Sequence, residues 1–284
     1  MSLQIEGVWK GFAHGGSRQW VLRDVDLEVK PGEFVSLIGH SGCGKSTLLN
    51  VLGGLTTADA GEVRLDGEVV AGPSPDRAMV FQSYSLLPRL SLVRNVHAAV
   101  RSARRDWAAE KVDATAERYL HGVGLWEHRD KRPHQVSGGM QQRCAVARAF
   151  AVEPRVLLLD EPFGALDALT RARLQAQLID LWSSESETEM VVMVTHGIEE
   201  AILLSDRVAD ITVLPEVTAD APVALDNWLG GPPAGYTIGA TRPPIVRSSA
   251  RRPAARSMSA TSSGSSSSCP VAPRSQPLPG SRPS

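Results

Sequence analysis

Up to about residue 210 the chain alternates compact apolar runs with stretches whose apolar positions recur every three or four residues. Phe34–Ile38, residues 156–159 and residues 190–195 are rich in Leu, Val and Met, the pattern of strands buried on both faces of a parallel sheet. The first run is followed by a glycine-rich turn and then by a helical pattern over 46–52. Strand, turn and helix in that order predict an α/β fold whose ligands gather at the carboxyl ends of the strands. Residues 62–65 and 68–70 flank Asp66 and Gly67, which predicts a hairpin with an Asp-Gly turn. From 92 to 125 the pattern is helical and amphipathic. Trp107, Lys111, Val112, Tyr119 and Leu120 fall where a helical subdomain needs a core.

After about residue 208 that texture stops. Residues 241–284 hold 13 Ser and 8 Pro among 44 positions, and no acidic residue follows Asp226. Such a segment buries too little apolar area to offset a backbone ordering cost of about 1–2 kcal/mol per residue. Residues 211–284 therefore read as a disordered Ser-, Pro- and Arg-rich tail behind a single domain over 1–210. The 284 residues carry 30 Lys plus Arg against 31 Asp plus Glu, and a balance so near zero argues against broad capture of nucleic acid. No apolar run approaches the ~18 residues of a membrane span. The first ten residues include Glu6 and lack the apolar core of a secretory leader. Cys43, Cys144 and Cys269 are odd in number and far apart, which fits a reducing cytosol without a disulfide framework. The expectation is a soluble intracellular protein.

The candidate chemistry begins directly after Phe34–Ile38. Gly39, His40, Ser41, Gly42, Cys43, Gly44, Lys45, Ser46 and Thr47 fit the spacing G-x-x-x-x-G-K-[ST] between a strand and a helix. Glycines let successive backbone N–H groups turn toward phosphates, and the helix start adds positive potential at the same point. Lys45 is placed to reach the β- and γ-phosphates and Ser46 to ligate Mg²⁺, so the loop predicts a nucleoside triphosphate site. A chance Lys in a structural glycine turn is the competing reading, and the strand–loop–helix context disfavours it. Residues 156–159 end in Asp160 and Glu161. Asp160 is placed to hold the metal and Glu161 to polarise the attacking water, a role worth about 10²–10⁴ in rate.

Further pieces follow in order. Gln82 comes after the apolar strand 78–81, and Ser137, Gly138 and Gly139 precede a helix rich in Arg and Ala. Asp167 lies close behind the acidic pair, and His196 follows the strand over 190–195. Over residues 3 to about 208 this series resembles the nucleotide-binding subunit of ATP-binding cassette (ABC) transporters. The resemblance implies a P-loop ATPase core with a small antiparallel β subdomain and an inserted helical subdomain over about 87–150. It implies ATP and Mg²⁺ as cofactors, with Gln82 as a sensor of the metal or the lytic water. Ser137, Gly138 and Gly139 would grip the γ-phosphate bound to the opposite subunit, a second anion site at a helix start. Asp167 would cross the interface of a head-to-tail dimer, and His196 would contact the γ-phosphate. Phe12 resembles the aromatic that stacks on adenine, with Trp9 a near rival and ordinary packing the other reading of both.

Two departures from the family pattern stand out. Gly197 occupies the place of an acidic residue after the His, whose absence is expected to loosen the switch. Met140 replaces a commoner Gln.

Residues 72–77, 80–88, 130–134 and 160–171 resemble bacterial nitrate and nitrite importers, with the sulfonate, taurine and cyanate or bicarbonate importers as cousins. The resemblance implies a permease docked through the segment from Ser83 to Arg89, and a periplasmic or lipid-anchored solute-binding protein acting indirectly. It places the chain on the cytoplasmic face of the membrane as a peripheral subunit. Repair or chromosome ATPases of the same superfamily carry long arms between cradle and signature. Only 54 residues separate Gln82 from Ser137. A degenerate regulatory subunit is the remaining alternative, opposed by intact Lys45, Asp160, Glu161 and His196.

The abrupt change after residue 208 has two readings, a reading-frame shift in a GC-rich gene or a divergent tail. A frame shift predicts that another frame past codon 208 translates to a family-like continuation; gene sequencing that finds none counts against it.

Overall fold

The computed structural model describes residues 2–14, 17–183, 186–211 and 238–241. In chain order the elements are β1 (Leu3–His14), β2 (Ser17–Val29), β3 (Phe34–Ile38), α1 (Lys45–Leu52), β4 (Ala60–Leu65), β5 (Glu68–Val69) and β6 (Arg77–Val80). They continue with α2 (Leu92–Ala103), α3 (Ala109–Gly122), α4 (Gly138–Ala151), β7 (Val156–Asp160) and α5 (Ala168–Ser183). The last are β8 (Met190–Val194), α6 (Ile198–Leu204), β9 (Arg207–Ile211) and β10 (Ile238–Thr241). One sheet is antiparallel in the order β2-β1-β4-β5. The other runs β10-β9-β3-β8-β7-β6, parallel from β9 to β6 and closed by antiparallel β10 at its edge.

The uninterrupted apolar runs are explained by two cores, one on each face of the parallel sheet. Because side chains alternate along a strand, Leu157, Leu159, Val191 and Met193 join the helical subdomain. Val156, Leu158, Val192 and Val194 meet α1 and the antiparallel sheet. The parallel strands thus carry both cores and deliver their carboxyl ends to one edge.

The expected hairpin is present. Leu65 pairs with Glu68 across Asp66 and Gly67, whose φ values of 54° and 84° are those of a two-residue turn with both central residues left-handed. The helical subdomain is built as expected around Val112, Tyr119 and Leu120, with Tyr119 stacked on Phe150 at 6.2 Å. Lys111 corrects the expected core pattern. It is exposed and sets its ammonium 3.5 Å over the Trp107 ring, which packs on the cluster's margin. Cys43 and Cys144 are buried free thiols, and burial pushes the Cys144 thiol up to about 12. Cys269 lies outside the described residues. So does most of the tail expected to be disordered over 211–284, except Ile211, which ends β9, and Ile238–Thr241, which pair with β9 as a strand. Among the described residues no helix is long and apolar enough to cross a membrane.

Asp59 ties the antiparallel sheet together just before β4. It accepts the Gly11 N–H at 2.7 Å and pairs with Arg18 and with Lys10, the latter at 3.3 Å. The Gly11 bond and the two cations lower its carboxyl from 3.8 to about 2. A folded-state value below the unfolded one means stability present above the unfolded pKa and lost as pH falls through the folded pKa. Replacing Asp59 with Asn is expected to cost about 1 kcal/mol at neutral pH. The deficit in melting temperature should shrink as the pH drops from about 4 toward 2; a deficit constant across that window would remove Asp59 from this role.

Candidate functional site

The loop from Gly39 to Gly44 joins the end of β3 to α1. Gly39 adopts φ 149°, and a Cβ there would stand 2.6 Å from Ile211 O and 2.8 Å from Cys43 Sγ. Gly44 precedes the helix at φ 100°, where a Cβ would press to 2.8 Å on Leu22 Cδ2 and 3.0 Å on Val21 O. Both positions therefore require glycine. Gly44 brings no capping side chain, and the first intrahelical bond runs from Leu48 N–H to Gly44 O at 2.8 Å. The N–H groups of Lys45, Ser46 and Thr47 have no carbonyl four residues back within the helix, which is the geometry of an anion cradle. Lys45 is 5% exposed and turns its ammonium back into the loop, donating to Gly39 O at 2.8 Å and His40 O at 2.9 Å. The cation and the helix start thus share one concavity. His40 and Ser41 form its rim, with His40 Nδ1 3.0 Å from Ser41 O.

The second half of the site comes from β7 and β8. Ser46 Oγ donates to Asp160 Oδ1 at 2.9 Å, so residues 114 positions apart present two hard oxygen donors side by side. That donor set fits Mg²⁺, which takes oxygen ligands and completes its shell with water and substrate phosphates. Burial raises the Asp160 carboxyl above its usual range, opposed by the Ser46 hydrogen bond and reinforced by the charge of Glu161. Glu161 turns the chain with φ 48° and donates its N–H to Val194 O at 3.0 Å. Its carboxylate is spanned from both sides. Oε1 lies 2.5 Å from His196 Nε2, and Oε2 accepts Gln82 Nε2 at 2.9 Å. Gln82, Glu161 and His196, drawn from three separate strand ends, form one cluster.

Other expected residues make their contacts elsewhere. Ser137 caps α4, its Oγ accepting the Met140 N–H at 3.3 Å. A Cβ at Gly138 would stand 2.9 Å from Tyr84 Oη, and one at Gly139 2.7 Å from Thr170 Cγ2. Met140 packs against the helical core, so the departure at this position is absorbed as an apolar contact. Asp167 accepts the Thr170 N–H at 3.0 Å, and this bond holds its carboxyl below the usual range. Phe12 is 47% exposed, with the Lys10 ammonium 5.6 Å from its ring, whereas Trp9 packs edge-on against Trp20 at 5.5 Å. Of the two aromatics, Phe12 is the one with a free face.

Several residues went unread in the sequence. Asn95, fully buried on α2, accepts the Leu87 N–H at 2.7 Å and donates to Leu87 O, Leu90 O and Ser91 O. Arg148 on α4 donates to Ser85 O at 2.7 Å and Tyr84 O at 3.4 Å. Together they fasten the segment from Ser83 to Arg89 to the helical subdomain. No local sequence signal marks either contact. Thr195 and Glu200 were also missed, although Glu at the third position of a helix start is a readable sign. Thr195 Oγ1 lies 2.5 Å from Glu200 Oε2, and Glu199 and Glu200 supply the first-turn acidity of α6 that Gly197 lacks.

A glycine cradle with a buried lysine, facing a Ser–Asp pair at the carboxyl edge of a parallel sheet, defines the class of P-loop nucleotide-binding proteins. The profile of the ABC transporter family matches residues 22–164, and the chain belongs to that family. It is 46% identical over 216 residues to the nitrate import ATP-binding protein NrtD of Synechococcus elongatus, covering 76% of this chain and 78% of that one. It is 50% identical over 209 residues to the bicarbonate transport ATP-binding protein CmpC of the same organism, covering 73% of this chain. The chain spans about a third of CmpC's length, 31%. Among solved structures, the ATP-binding cassette MJ0796, a dimer in a post-hydrolysis state bound to ADP and Pi, superposes with a TM-score of 0.66. Its identity is 33%, over 73% of this chain and 93% of that one.

Replacing Lys45 with Met leaves Gly39 O and His40 O without their donor and removes the cation from the cradle. Affinity for a fluorescent ATP analogue is expected to fall at least about tenfold, the loss of one charge-assisted contact. Unchanged affinity would exclude this loop as the phosphate site.

Proposed function

We propose that this chain is the ATP-hydrolysing subunit of a bacterial ABC importer whose solute is nitrate or nitrite. The observation that carries the ATPase reading is Glu161, held between His196 and Gln82 beside the Ser46–Asp160 pair. ATP with Mg²⁺ supplies the activated γ-phosphoryl group. Lys45 and the first N–H groups of α1 bind the phosphates, while Ser46 and Asp160 hold the metal. Glu161 accepts a proton from the attacking water. His196 lies on the other side of that carboxylate and contacts the γ-phosphate, and Gln82 senses whether the site is filled.

The nitrate assignment rests on likeness to NrtD and to the nitrate transport protein NasD of Klebsiella oxytoca, 46% identical over 82% of that chain. Bicarbonate is the second reading, favoured by CmpC at 50% identity. Two subunits pair head to tail, so that Ser137, Gly138 and Gly139 of one close on the nucleotide held by Lys45 of the other, with Asp167 at the junction and Phe12 against the adenine. The dimeric state of the MJ0796 cassette supports this pairing. The segment from Ser83 to Arg89 receives the permease on the cytoplasmic face of the membrane, and a solute-binding protein acts through that permease. Gln82 at the head of this segment joins it to the catalytic cluster.

Glu161→Gln removes the proton acceptor while keeping the shape of the side chain. ATP turnover is expected to drop about 10²–10⁴-fold with nucleotide binding retained; parental turnover in this variant would remove Glu161 from the role of base.

A further inference from the structure

His196 sits at the apex of a short turn that is tied off behind it. Thr195 is 2% exposed; its hydroxyl accepts the Gly197 N–H at 3.0 Å and donates to Glu200 Oε2 at 2.5 Å. The other Glu200 oxygen lies 3.4 Å from Arg171 Nε. Arg171 Nη2 in turn donates to Leu166 O at 3.1 Å, one residue before Asp167. Hydrogen bonds and one ion pair, in which Arg171 Nε makes no hydrogen bond, thus link the turn that presents His196 to the turn that presents Asp167. The two turns follow the neighbouring strands β7 and β8, whose ladder ends at the Asp160–Val194 pair before either turn begins.

Gly197 is part of the same device. A Cβ there would stand 3.0 Å from Glu200 Cδ and 3.2 Å from Glu200 Oε2. The Glu200 side chain therefore fills the space that a side chain at 197 would claim. Glycine at this position leaves Glu200 room to fold back onto Thr195.

We propose that Glu200 and Arg171 are positioning residues for ATP hydrolysis, fixing the turn of His196 relative to the turn of Asp167. The proposal rests on the ATPase reading of the site. Glu200 acts through Thr195 and Arg171, the groups its two oxygens face. A carboxylate in the first turn of α6 favours the helix whatever it touches. That role alone would lower the melting temperature and leave kcat unchanged.

Steady-state ATPase kinetics of the purified full chain separate the two. In Glu200→Ala, kcat is expected to fall about tenfold with KM for ATP within about twofold of the parent, because displaced reacting groups cost rate rather than binding. Glu200→Gln keeps a partner for Thr195 and loses the charge facing Arg171, so a smaller fall, about threefold, is expected there. Combining Glu200→Ala with Arg171→Met should lower kcat no further than Glu200→Ala alone, as members of one chain of contacts are non-additive. Gly197→Asp should lower kcat by crowding Glu200. The same substitution should recover part of the loss in the Glu200→Ala background, where the space is free and a carboxylate returns beside Thr195.

Glu200→Gln and Arg171→Met both folded, with parental kcat, would overturn the proposal. So would full additivity of the double variant. Glu161→Gln measured alongside keeps the two readings apart. Parental turnover there sinks the ATPase reading itself, whereas lost turnover there with unaffected Glu200 variants sinks only the positioning role.

Discussion

The arrangement depends on holding one carboxylate at a strand end between two partners that arrive from elsewhere. Glu161 leaves β7 with a left-handed backbone, and its N–H is taken by Val194 of β8. That bond is the last of the β7–β8 ladder and closes the Asp160–Val194 pair. It also turns the side chain across the edge of the sheet toward His196 and Gln82. A positive φ at a non-glycine residue costs on the order of 1–3 kcal/mol and persists only where its surroundings over-determine it. Here two strands and two side chains do so.

Everything that brings the partners to that point follows from burying a parallel sheet on both faces. The β7 and β8 runs have no polar side because helices cover one face and α1 with the antiparallel sheet covers the other. With both faces closed, the polar groups of β7 and β8 collect at the strand ends. The carboxyl edge receives Gln82, Asp160, Glu161 and His196, with the cradle of β3 and α1 beside them. The amino edge carries structural pairs instead, such as Arg155 with Asp66 and Glu189 at the start of β7.

The helical subdomain stands in a different relation to the chemistry. Its α4 begins at Ser137, whose side chain caps the helix, and it grips the segment after Gln82 through Arg148, as α2 does through Asn95. Residues 83–89 are therefore continuous with Gln82 at one end and tied to the last turn of α4 by Arg148. That mechanical continuity is what the proposed permease contact requires. The Glu200–Arg171 link does comparable work on the other flank, between the turns of His196 and Asp167.

The phosphate cradle was legible because its demands are local. Glycines at 39 and 44, a lysine at 45 and a hydroxyl at 46 act through backbone geometry that a nine-residue window specifies. The buried strands and the Asp-Gly hairpin were legible for the same reason, through periodicity and turn chemistry. What the chain did not disclose were contacts between residues distant in sequence. Ser46 meets Asp160 across 114 positions, Arg148 reaches Ser85 across 63, and Arg171 meets Glu200 through packing alone. Gly197 shows the boundary between the two kinds of information. Resemblance to the family makes it a missing acid, and only the folded chain shows the Glu200 carboxylate three residues on lying beside it, because side-chain competition for volume is decided in three dimensions.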